Sequence, residues 1–93
     1  MTELKAVHII VHGQVQGVGF RCFTQSAAER LNVSGWVRNN YDGTVEIWGE
    51  GAQEHLEQFI RAARQGPMHG WVQTLDIDWQ TATGTCHGFQ IRY

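Results

Sequence analysis

The feature that most restricts this 93-residue chain is the order in which its hydrophobic period changes. Val7, Ile9 and Val11 alternate with His8, Ile10 and His12, a period of two that predicts a strand with one mostly apolar face. From about Arg21 the period lengthens. Phe23, Ala27 and Leu31 recur every four residues and mark the inner stripe of a helix, with Asn32 placed for a left-handed stop. Period two returns in Trp36–Asn39 and Thr44–Trp48, and Asp42-Gly43 between them signals a hairpin, since tight hairpin turns need positive φ. Leu56, Phe59, Ile60 and Ala63 then give a second amphipathic helix that Gly66-Pro67 ends. A strand follows near Val72–Trp79, with Leu75, Ile77 and Trp79 on one face, and Phe89, Ile91 and Tyr93 suggest a last one.

Strand, helix, strand, strand, helix, strand, plus one extra strand near the end, leaves few solutions. Two helices can cover only one face of a four- or five-stranded sheet, and each crossover should be right-handed. The expectation is an α+β, ferredoxin-like βαββαβ sandwich, with an antiparallel sheet and both helices on one face. The length suits one domain spanning residues 1–93. Hydrophobic residues at 42% against 17% charged exclude a disordered tail. A fold this widely used says little about activity.

The remaining bulk properties narrow the partners. A net charge of −2 is a poor footprint for nucleic acid. The N-terminus, Met1-Thr2-Glu3-Leu4-Lys5, is acidic where an export signal would be basic, and Ile9-Ile10-Val11 is far too short for a membrane segment. A cytoplasmic protein is expected; Cys22 and Cys86 could form at most one bridge, and a reducing compartment argues for free thiols while the sequence leaves the pairing open. His8 and His12 share a strand face about 13 Å apart, at about 3.3 Å per residue, too far for one metal. His55, His69 and His87 have no ligand spacing, so no metal and no cofactor are expected. Trp36, Trp48, Trp71 and Trp79 all fall in strands, where sheet packing explains them better than an RNA-stacking platform. Glu50, Glu54 and Glu57 read as the solvated side of the second helix.

Candidate chemistry lies in the loop between the first strand and helix, Gly13-Gln14-Val15-Gln16-Gly17-Val18-Gly19. Glycines let backbone N–H groups converge on an anion, and the helix N-terminus beyond adds partial positive charge. Arg21 stands in that first turn, where the macrodipole disfavours a cation. An anion held between loop and guanidinium would account for it; a loop that merely turns, with a solvated Arg, is the alternative. The loop is neither a Walker loop nor a dinucleotide fingerprint.

Gly13-Gln14-Val15-Gln16-Gly17-Val18-Gly19-Phe20-Arg21 resembles the first signature of the acylphosphatase family. Gly35-Trp36-Val37-Arg38-Asn39, continuing through Asp42-Gly43-Thr44-Val45-Glu46, resembles the second. The resemblance runs down to Phe89-Gln90-Ile91-Arg92-Tyr93 and implies hydrolysis of the carboxyl-phosphate bond of acyl phosphates, without metal. It places the phosphate-binding Arg on Arg21 and the Asn that positions the attacking water on Asn39, not Asn40. It also places the phosphate-holding amides on Val15, Gln16, Gly17, Val18, Gly19 and Phe20. Inorganic phosphate or sulfate is the implied inhibitor, and the size suits a monomer. Asn32 departs from the Gly of many relatives without touching the chemistry, and Asn40-Tyr41 is a variable part of the hairpin. The competing reading is a non-catalytic phosphate sensor or protein-binding module, or a regulatory segment of a larger protein. An anion cradle alone would serve those roles; only hydrolysis also needs Asn39, and the chain's end at residue 93 weighs against a segment.

Overall fold

The computed structural model describes residues 3–93; Met1 and Thr2, part of the N-terminal stretch read above, lie outside the described residues. The elements are β1 (Leu4–Gln14), α1 (Phe20–Arg30), β2 (Ser34–Asn39), β3 (Val45–Ala52), α2 (Gln53–Gln65), β4 (Trp71–Thr81) and β5 (Phe89–Arg92). The sheet order is β4-β1-β3-β2-β5. β1 pairs antiparallel with β3 and β4, and β2 antiparallel with β3, which gives the expected βαββαβ core. The fifth strand departs from expectation. β5 runs parallel to β2, pairing Gly35 with Phe89 and Arg38 with Arg92, so the sheet is mixed.

Val7, Ile9 and Val11 of β1, Val45 and Ile47 of β3, and Val37 of β2 are fully buried. They form the sheet side of one core, closed by Leu56, Phe59, Ile60 and Ala63 of α2. Phe59 meets Phe89 edge-on, with ring centroids 5.8 Å apart. The inner stripe of α1 is displaced from the expected one: Phe20, Thr24, Ala27 and Ala28 are buried, while Phe23 and Leu31 are only partly covered. Thr24 is tolerated there because its hydroxyl donates to Phe20 O at 2.8 Å. Asn32 takes φ 59 as expected, Val33 N–H donates to Ala28 O, and Asn32 N–H donates to Glu29 O. These bonds satisfy two of the last four carbonyls of α1.

The face away from the helices carries polar networks. Glu46 accepts from Arg38 at 2.8 and 3.0 Å and bonds His8 at 2.7 Å, while His12 pairs with Asp76 at 2.8 Å. The two histidines therefore serve separate carboxylates. Trp36 and Trp48 are half-buried on this face, but Trp71 and Trp79 are exposed, so packing within the sheet accounts for two tryptophans of the four. Both cysteines are free.

Glu50 does not lie on the solvated side of a helix. It belongs to β3 and is 4% exposed. It accepts from Thr83 Oγ1 and Trp48 Nε1, each at 2.7 Å, and from Gly84 N–H at 3.1 Å, fastening the β4–β5 connection to the sheet. Burial alone would raise its pKa, but the bonds from Thr83, Trp48 and the backbone of Gly84 and Thr83 outweigh burial and hold it at about 2, against an ordinary 4.5. A depressed folded value stabilises the fold above pH 4.5, and the contribution disappears as pH falls towards 2. It amounts to up to about 3 kcal/mol. Urea unfolding at pH 6 and pH 3 should therefore show a smaller acid-induced loss in Glu50→Gln than in the unaltered chain. Equal losses in the two proteins would show that Glu50 is not the group responsible.

Candidate functional site

Gly17 and Gly19 adopt φ 75 and 78, and nothing lies within 4 Å of where a Cβ would stand on either. Backbone conformation, not crowding, is what demands glycine at these two positions. The turn they impose starts α1 at Phe20, one residue ahead of the periodicity, and Gly19 serves as N-cap with no side chain capping the helix. The N–H groups from Gln16 to Cys22 donate to no acceptor among the described residues, and the first turn of α1 contains no acid. A helix start left open in this way has donors to offer an anion, and the dipole there favours negative charge.

Arg21 projects from this first turn without a carboxylate partner among the described residues. Its guanidinium rests 4.8 Å above the Tyr93 ring and makes one long bond, 3.5 Å, to Arg92 O. The expected cation is therefore held by β5 from below and remains unneutralised. Asn39 closes β2 opposite Val45. Its Oδ1 is buried and has no hydrogen-bond partner, the single side-chain atom in that condition among the described residues. A buried acceptor without a partner is costly and calls for a donor from outside. Tyr93 is next to both residues: it lines, with Asn39 and Tyr41, a depression of about 300 Å³, and its ring carries Arg21. The parallel pairing explains this, since Tyr93 follows Arg92 just as Asn39 follows Arg38.

The hairpin that carries Asn39 is a three-residue loop rather than a two-residue turn. Asn40 N–H donates to Thr44 O at 2.9 Å and Gly43 N–H to Asn40 O at 3.2 Å, and only Gly43 takes positive φ. Asp42 accepts from Thr44 Oγ1 at 2.6 Å and Thr44 N–H at 3.0 Å, which lowers its pKa. Asn40 Nδ2 donates to Thr44 Oγ1 at 3.1 Å, so of the adjacent pair Asn40 is occupied and Asn39 is free. Sequence reasoning assigned Gln16 a role through its backbone only. In the fold its side chain also reaches the hairpin, donating to Asn40 O at 2.7 Å and Thr44 O at 2.9 Å. Cys22, beside Arg21, is exposed and unpaired. No group of three or more His, Cys, Asp or Glu side chains comes together among the described residues.

A family model described as Acylphosphatase matches residues 7–91. An acylphosphatase of Salinibacter ruber is 47% identical over 88 residues, covering 95% of this chain and 93% of its own. The crystal structure of an acylphosphatase from Bacillus subtilis superposes with a TM-score of 0.93 at 38% identity, covering 96% of this chain and 99% of that one. The same fold forms 12% of full-length HypF in its phosphate- and nucleotide-bound form, with a TM-score of 0.92, 29% identity and all of this chain covered.

If the loop amides receive an anion, Gly19→Ala should weaken binding of inorganic phosphate at least tenfold. The left-handed backbone costs a non-glycine residue about 1–2 kcal/mol, so the loop relaxes away from it. Titration calorimetry reads the affinity, and unaltered phosphate binding in the folded variant would show that the loop is not the receptor.

Proposed function

The chain belongs to the acylphosphatase family and hydrolyses acyl phosphates to a carboxylate and inorganic phosphate, and from that premise we propose that Arg21 and the amides of Val15–Phe20 bind the phosphoryl group while Asn39 orients the attacking water. The observation that carries this reading is the unpartnered Oδ1 of Asn39, a residue that lines the same depression as Tyr93, whose ring supports Arg21.

Phosphoryl transfer asks mainly for positioning and for stabilisation of charge on three equatorial oxygens. Arg21 suits that work because its fork donates two parallel hydrogen bonds and stays charged. The loop amides supply further donors without a side chain that must be ordered first. Asn39 cannot act as a base near neutral pH, but Oδ1 can accept one water hydrogen and fix the line of attack. The water oxygen then bonds to phosphorus as the bond from phosphorus to the acyl oxygen breaks. The carboxylate leaves with the electron pair, and the water's proton passes to a phosphate oxygen. The leaving group is already a good one, so the step requires neither a strong acid nor a metal. A small-molecule substrate fits the shallow depression and the net charge of −2 better than a nucleic acid does. No helix among the described residues is long and apolar enough to cross a membrane. Action as a cytoplasmic monomer in one domain over residues 1–93 completes the proposal, in keeping with the near full-length match to its relatives.

Two side chains with separate roles should fail in separate ways. With acetyl phosphate as substrate, Arg21→Gln should raise the phosphate Ki and lower kcat/KM by several orders of magnitude, through loss of charge-assisted bonds of roughly 1.5–3 kcal/mol each. Asn39→Ala should lower kcat about 10²-fold and leave the phosphate Ki nearly unchanged. Asn40→Ala should keep kcat and lose about 1 kcal/mol of stability with its bond to Thr44. Loss of kcat in Asn40→Ala, with Asn39→Ala unaffected, would reverse the assignment. Activity should also survive EDTA; inactivation that a divalent ion restores would overturn the metal-free step.

A further inference from the structure

The geometry points to Gln16 as a positioning residue whose side chain sets the distance between the phosphate cradle and the water-orienting amide of Asn39. The inference rests on the division of labour proposed for Arg21 and Asn39. Gln16 precedes Gly17 in the loop, and its Nε2 donates to Asn40 O and Thr44 O, 24 and 28 residues further on. Those two carbonyls are the ones that close the hairpin, accepting from Gly43 N–H and Asn40 N–H respectively. One nitrogen therefore spends both hydrogens on the turn immediately after Asn39. Carbonyl oxygens only accept, so it is the amide nitrogen and not its oxygen that faces them.

The residue type follows from that demand. Glu would set a carboxylate against two carbonyls, Asn would stop a methylene short, and Met would match the volume with no donor. Without the clasp the hairpin keeps its own bonds, from Thr44 to Asp42 and from Asn40 to Thr44, so it stays a hairpin. What it loses is its tie to the loop. The buried Oδ1 of Asn39 has no partner to hold it in place, so its position depends on the backbone that carries it. An error of about 1 Å in placing a reacting group can cost 10²-fold in rate.

The test is a double-mutant cycle on the full chain, with kcat for acetyl phosphate and Ki for inorganic phosphate as readouts. Gln16→Met should lower kcat tenfold to a hundredfold and change the phosphate Ki less than threefold. In the Asn39→Ala background the same substitution should change kcat less than twofold, because the group it positions is gone. Equal losses of kcat in both backgrounds, or a Ki that rises in step with the loss, would overturn the inference and mark Gln16 as a general support of the loop. Should circular dichroism show Gln16→Met unfolded, Gln16→Asn takes its place with the same expected values. A fall of kcat in Asn39→Ala with none in Gln16→Met sinks the clasp alone. An unchanged kcat in Asn39→Ala sinks the role of Asn39 and the clasp with it.

Discussion

The site depends on a set of backbone N–H groups that the fold leaves without acceptors. Helices usually satisfy their first turn with a side-chain cap or an acid. Helix α1 has neither: Gly19 caps it without a side chain, and no acid occupies its first turn. The usual logic of the macrodipole is further contravened by Arg21, a cation at the positive end. Both departures would become favourable together with an anion at the loop, as proposed for the phosphoryl group. The β5 strand supports the arrangement from below by placing Tyr93 and the Arg92 carbonyl against Arg21.

Much of this was legible in the sequence because it is local. The glycines of the loop and Arg21 in the first turn beyond it marked a candidate anion site by residue type and spacing, whereas Asn39 was singled out only through the resemblance to the acylphosphatase signatures. The hydrophobic stripe of α2 and the left-handed stop at Asn32 were likewise marked by residue type and spacing. What was hidden lies in partners distant along the chain. Glu50 looks like one member of an acidic run, because Gly49 and Gly51 interrupt the alternation that would have carried β3 to Ala52. Its true partners, Thr83 and Gly84, are 33 and 34 residues away. The stripe of α1 was misread for a related reason. Thr24 counts as polar in sequence, yet it folds its hydroxyl back onto Phe20 and turns inward.

Pairing direction was the other silent quantity. Nothing in Phe89-Gln90-Ile91-Arg92 announces that β5 runs parallel to β2, and an antiparallel edge would satisfy the same alternation. The direction matters because a parallel neighbour lets Tyr93 follow Arg92 alongside Asn39, which follows Arg38. An antiparallel strand would send its C-terminal end to the far side of the sheet, away from Arg21.

The pairing order has a kinetic consequence. The proposed site draws on residues 15–21, on Asn39 and on Tyr93, and the sheet that unites them joins β1 to β4 and β2 to β5, partners separated by more than half of the chain. Contacts so far apart in sequence require closing large loops before they stabilise anything, which slows folding relative to helical proteins of similar size. The helices and the β2–β3 hairpin can form locally, yet none of them holds a complete cradle. If the proposed site is the working one, turnover should return during refolding only after these distant strands have paired, later than the secondary structure.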